Sequence, residues 1–128
     1  MFLALAKGLA ARETSIRLHG ISAIPNAEFI SSLQLEAMQF YPYAKVHDKP
    51  VSSRFGKLHP DLLEIAKACF QQCGILPDPV YDSALLLFIY ESIKTEKLPN
   101  DGSVLWLHSG GQTGWSGYAS ELQQLCSL

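Results

Sequence analysis

Residues 82–111 read "DSALLLFIYESIKTEKLPNDGSVLWLHSGG", and the way this stretch parses decides the fold. Its first half, 82–97, has the pattern of a helix that is apolar almost all round between Ala84 and Tyr90. Such a helix is usually buried on more than one side. "PNDG" turns the chain, and "SVLWLHS" (103–109) is an apolar run short enough for a strand that ends on two glycines. A helix, a turn and a strand entering glycine is one step of an alternating α/β pattern.

Working outward extends the alternation. "HPDLLEIAKACFQQCG" (59–74) is a helix with Pro60 in its first turn, Asp61 and Glu64 at its positive end and Gly74 as its stop. Leu62, Leu63, Ala66, Phe70 and Cys73 supply its buried face. "ILPDPVY" is extended, because each proline biases the residue before it away from helix. Further up, Phe2 to about Ala11 reads as a helix and "SIRLHGISAI" (15–24) as a strand closed by Pro25. "NAEFISSLQLEAM" follows as a helix capped by Asn26, and Tyr41–Leu58, with two prolines and Gly56, reads as a long loop. The fold class is therefore α/β with parallel strands. Parallel sheets are covered on both faces and contain several strands, whereas only two convincing strands are visible. The chain, 1–128, reads as a single partial domain of a larger sheet, either completed by a partner or cut from a longer polypeptide.

Composition narrows the function classes. The chain is 48% hydrophobic and 17% charged, with net charge −2 and scattered basic residues. That excludes electrostatic nucleic-acid binding. No stretch has the length and purity of a membrane span. The opening "MFLALAKGLAARETS" has too short an apolar core for a signal peptide and reads as an amphipathic helix. Three cysteines, Cys69, Cys73 and Cys126, without framework spacing argue for reduced thiols in a cytoplasmic setting. Cys69 and Cys73 share a helix face, but with no third ligand nearby they are packing groups, and no metal site is expected. His19, His47 and His59 show no ligand spacing either.

Two stretches can carry chemistry. Gly110, Gly111, Gly114 and Gly117 follow the last apolar run, yet they do not form G-x-G-x-x-G, and residues 118–128 are too few for the helix, strand and acidic residue of a dinucleotide fold. Two readings stay open: a plain C-terminal turn, or glycines that let backbone and Ser109 approach a ligand at a strand's carboxyl end. In "DPVYDS" (78–83), Tyr81 stands between a stiffened extended segment and a helix N-terminus, where the dipole favours an anion. Asp82 is either a functional carboxylate or simply the helix cap. His108 reads by default as a core or hydrogen-bonded histidine.

"GILPDPVYDS" followed by "GSVLWLHSGGQTGWSGY" resembles the C-terminal part of the 1-aminocyclopropane-1-carboxylate deaminase and D-cysteine desulfhydrase family, pyridoxal-phosphate enzymes of the tryptophan synthase β-like fold. "HGISAI" and "LALAKGLA" also fit its pattern, and the likeness is weakest between Glu36 and Ser53. The resemblance implies part of a three-layer parallel-sheet domain and a small amino-acid substrate, from which α,β-elimination releases ammonia and a 2-oxo acid. Carried over by position, Tyr81 matches the tyrosine assigned to acid–base or nucleophilic work. Asp82 falls at the carboxylate or threonine beside the pyridine nitrogen, where a carboxylate keeps that nitrogen protonated and the ring electron-withdrawing. Ser109 falls at a threonine on the same ring edge, and Gly110 and Gly111 complete a wall around the coenzyme.

The chain also departs from that pattern. Asp82, Ser83 and Ala84 replace the usual acidic residue or threonine followed by glycine and lysine, and "RFGKL" offers Phe55 where deaminases carry a second active-site tyrosine. Without that hydroxyl, desulfhydrase-like or other β-elimination chemistry is the better expectation. The family's coenzyme-binding lysine, the asparagine after it and the glycine-rich phosphate loop lie N-terminal to the matched region. No lysine here stands in a matching context, so the isolated chain is expected to hold the coenzyme weakly and to be inactive. A second reading is a non-catalytic remnant that serves as an interaction module; a third is an independent small-ligand-binding α/β domain. Strand edges left by missing strands predict self-association, a homo-oligomer included.

Overall fold

A computed structural model describes residues 1–51, 58–98 and 102–126. The chain divides into two compact units, Met1–Lys49 and Pro50–Leu128.

The first unit runs α1 (Phe2–Ala10), β1 (Leu18–Ile21), α2 (Ala27–Phe40), β2 (Ala44–His47). Asn26 caps α2 as its sequence suggests: its side-chain oxygen accepts from the N–H of Phe29 at 2.9 Å. The two strands are parallel, with Leu18 opposite Ala44 and Ile21 opposite His47. This confirms a mixed α/β chain with a parallel pair. It also corrects the reading of Tyr41–Leu58 as a loop, because residues 44–47 form β2. The reason lies in a distant side chain. The Gln34 amide on α2 donates to Ala44 O at 2.9 Å and accepts from Val46 N at 2.6 Å, pairing with one strand edge of β2 as another backbone would. The strand read over 15–24 shrinks to four residues, leaving Ile16 61% exposed.

Small residues dominate this unit's core. Ala6, Ala37 and Ala44 are buried with Tyr41, and Phe2, Leu3, Leu9 and Leu18 pack around them. The Tyr41 hydroxyl bonds to the carbonyls of Thr14 and Ile16 and so ties the entry of β1 to the end of α2.

The second unit runs α3 (Pro60–Cys73), α4 (Tyr81–Lys94), a 3-10 helix (Gln112–Gly117) and α5 (Ala119–Cys126). The start and stop signals of α3 act as expected: His59 Nδ1 accepts from Asp61 N, Pro60 opens the helix, and Gly74 closes it at φ 69°. Leu62 and Ala66 are buried, but Cys73 is exposed, so the expected apolar face stops short of it. Burial, then its neighbour Cys73, pushes the Cys69 thiol up from its ordinary value. Leu62, Ala84 and Leu87 form one buried cluster, and Ala66, Trp115 and Leu125 another.

The expected last strand, 103–109, is not a strand among the described residues. The segment joins no ladder, and Leu105 is 93% exposed. Its apolar run has the composition of a strand, but ladder formation needs a neighbouring backbone. The turn helix and α5 were not foreseen. No helix among the described residues is long and apolar enough to cross a membrane.

Candidate functional site

The site is built where the loop before α4 meets the glycine stretch. Pro77, Asp78 and Pro79 are all buried. Asp78, not Asp82, organises the start of α4: its Oδ1 accepts from Val80 N at 2.9 Å and Tyr81 N at 2.5 Å. Its backbone carbonyl accepts from Ser83 N at 3.1 Å and Ser83 Oγ at 2.7 Å. Orphan N–H groups of the first turn are satisfied in this way. Asp82 is thereby released from capping.

Asp82 is 3% exposed, and its Oδ2 lies 2.7 Å from His108 Nδ1 and 3.4 Å from the N–H of Asp78. A carboxylate in the first turn of a helix sits at the positive end of the dipole. The partner histidine comes from the other end of the unit's sequence. Trp106 and His108 lie on the same side of the extended segment, with ring centroids 5.0 Å apart and planes at 11°. Trp106 Nε1 and His108 Nε2 are buried and have no hydrogen-bond partner among the described residues.

The glycines follow from this approach. Gly110 and Gly111 have φ of 91° and 88°, the left-handed region in which side chains are strained. A Cβ on Gly111 would lie 2.9 Å from Asp78 Oδ2, and one on Gly114 would lie 3.0 Å from the same atom. Trp115, 1% exposed, closes the contact by donating its indole N–H to Pro77 O at 2.8 Å. The stretch is thus a fitted cover over "PDPVYD" rather than a free turn.

The sequence-derived residues fall as follows. Asp82 joins the glycine stretch through His108. Tyr81 is 60% exposed at the first position of α4, and Ser109 is exposed one residue beyond His108. Gly110 turns the chain beside them, and its N–H approaches His108 Nδ1 at 3.2 Å. Phe55 lies outside the described residues. Sequence reasoning missed Asp78 as the cap, His108 as the partner of Asp82, and Trp115. The one available signal was the pair of glycines three apart, Gly111 and Gly114, followed directly by a tryptophan. No group of three or more histidine, cysteine or acidic side chains among the described residues can hold a metal ion.

No family model matches the chain. Over 66 residues, 52% of its length, it is 30% identical to the 1-aminocyclopropane-1-carboxylate deaminase of Cyberlindnera saturnus. The aligned stretch covers 19% of that enzyme, so the chain matches only a small part of its relative. Half of this chain is thus similar to a piece of a deaminase.

Proposed function

We propose that this chain supplies one wall of a pyridoxal-phosphate site of the aminocyclopropane-carboxylate deaminase or D-cysteine desulfhydrase type. The reaction would be α,β-elimination on a small amino acid: the α-proton and the β-substituent leave together as an acid, and hydrolysis of the resulting enamine releases ammonia and a 2-oxo acid. The observation that carries this proposal is the buried Asp82–His108 contact, which brings the "DPVYDS" and "HSGG" stretches together. The partial likeness to a deaminase supports it.

The donor set fits such a coenzyme in kind. A carboxylate at a helix N-terminus suits a protonated ring nitrogen, the hydroxyls of the exposed residues Tyr81 and Ser109 suit polar substituents, and Gly110, with no atom within 4 Å of its would-be Cβ, leaves room beside a flat ring. When bound, the coenzyme supplies an electron-withdrawing ring that makes the substrate's α-proton acidic. In this scheme Tyr81 moves a proton at the substrate through its phenolic oxygen. Asp82 holds the ring nitrogen's proton, Ser109 orients the ring edge, and the buried Pro77–Pro79 segment excludes water from behind.

The covalent anchor and phosphate grip are assigned to polypeptide outside this wall. Lys94 lies in the last turn of α4, thirteen residues from Tyr81 and so about 20 Å along the axis. The purified chain is therefore expected to trap no coenzyme at one defined lysine on borohydride reduction and to release no 2-oxo acid from D-cysteine or aminocyclopropane-carboxylate. A single trapped lysine accompanied by turnover overturns this assignment.

A second reading, a non-catalytic interaction module, is favoured by one observation: the extended segment 103–109 is without a ladder partner among the described residues while Val104, Leu105 and Leu107 are 50%, 93% and 48% exposed. An exposed apolar run of this kind offers a surface to another chain. A stable monomer in size-exclusion chromatography counts against that reading.

A further inference from the structure

We propose that His108 is a positioning residue that acts through Asp82: with its proton on Nδ1, it fixes the Asp82 carboxylate in one orientation at the proposed coenzyme wall. This rests on the reading of that wall given above, and it adds a residue which the resemblance left without a role.

The proton's location follows from competition for one atom. A neutral imidazole nitrogen has a single in-plane site, which either donates or accepts. Two groups address Nδ1 of His108: Asp82 Oδ2 at 2.7 Å and the Gly110 N–H at 3.2 Å. The first contact is the shorter and involves an acid at a helix N-terminus that also receives the Asp78 N–H. A proton on Nδ1 satisfies this contact and makes the Gly110 approach the weaker one. It also leaves Nε2, buried and without a partner among the described residues, as a bare acceptor rather than an orphaned donor. An unpaired buried N–H is the costlier of the two.

Rigidity comes from the neighbours. The His108 ring lies nearly parallel to that of Trp106, with centroids 5.0 Å apart. Asp82 itself begins a helix whose first turn is fixed by Asp78. Both ends of the contact are therefore held, and the carboxylate cannot swing freely.

The test uses the whole chain without coenzyme. Nitrogen-15 NMR of histidine-labelled protein is expected to show His108 protonated on Nδ1, exchanging with water more slowly than the half-exposed His59, and this signal is lost in Asp82→Ala. A His108 protonated on Nε2 with Nδ1 bare overturns the proposal. The Asp82 carboxyl carbon-13 signal should shift in His108→Ala and return in His108→Asn, whose amide can donate from near the place of Nδ1. An Asp82 signal identical in all three proteins also overturns it. The coenzyme reading fails separately: pyridoxal phosphate that leaves Tyr81, Asp82 and Ser109 unmoved refutes the wall, while the Asp82–His108 coupling measured in its absence still stands.

Discussion

Each unit of this chain is tied together by a histidine, and the two ties are chemically unlike. In Met1–Lys49, His19 on β1 meets His47 on β2 with Nδ1 and Nε2 3.0 Å apart. The ring centroids are 5.2 Å apart and the planes only 9° from parallel. That centroid separation is nearly the nitrogen–nitrogen distance plus a ring radius on each side. The rings therefore meet edge to edge, almost coplanar, in an N–H···N bond rather than face on face. In Pro50–Leu128, His108 meets an acid instead. One tie joins two bases sharing a proton across a backbone ladder, and the other joins a base to an acid across two segments that share no ladder. The first unit combines a backbone ladder with side-chain ties, while the second has no ladder among the described residues and depends on side chains that reach far along the sequence.

The largest effect expected from this contrast comes from Trp115→Ala. The substitution removes the largest fully buried side chain and its bond to Pro77 O. Truncating a buried aromatic typically costs about 3–5 kcal/mol. Amide hydrogen exchange should accelerate throughout α3 and α4, while the amides of Leu18–Ile21, held by the ladder, keep their protection. Equal loss in both units would mean that they unfold as one and that the contrast has no energetic content.

Gly111→Ala sharpens the comparison within the second unit. It combines a φ of 88° with a Cβ 2.9 Å from Asp78 Oδ2. A strained left-handed residue alone costs about 1–3 kcal/mol. Gly117, six positions on, has neither positive φ nor any atom within 4 Å of its would-be Cβ. Gly117→Ala should therefore stay within about 0.5 kcal/mol of the parent protein. Urea midpoints for the two variants decide the matter. If both are tolerated equally, the glycine stretch is an ordinary turn after all.

The same contrast explains what the sequence disclosed. The helices were legible because their signals are local: Asn26 three residues ahead of Phe29, Pro60 and Gly74 bracketing α3, the apolar turns of α4. The strands were less so. β2 takes its definition from Gln34, ten residues away from Ala44, and no periodicity announces that contact. The run at 103–109 has a strand's composition but, among the described residues, no neighbouring backbone to make it one. In the site, Tyr81, Asp82 and Ser109 were suggested by their motifs. What holds the motifs together, Asp78, His108 and Trp115, was hidden because each acts through a contact made across the fold or against the direction of the obvious cap. Asp82 looked like a cap because caps are short polar residues near a helix start, and Asp78 fills that role from three positions before Tyr81.

The smallest effect near neutral pH belongs to the two-base tie, and it grows only in acid. Burial, then His19, then Lys45 pushes His47 down to about 4. Burial, then Arg17, then Lys45 lowers His19 as well. The ordinary histidine value is about 6.5, so between about 4 and 6.5 the unfolded chain binds protons that the folded chain refuses. Stability of the first unit must then rise with pH through that window. It is complete above the unfolded value and lost as pH falls toward 4, where protonation of both rings replaces the shared N–H···N bond with two like charges. Protection of the β1 and β2 amides should fall across this range, and His47→Gln, which cannot take up that proton, should flatten the dependence. A slope that persists in His47→Gln would assign the acid sensitivity to other groups. The edge-on imidazole pair would then be a geometric feature of the ladder with no part in its stability.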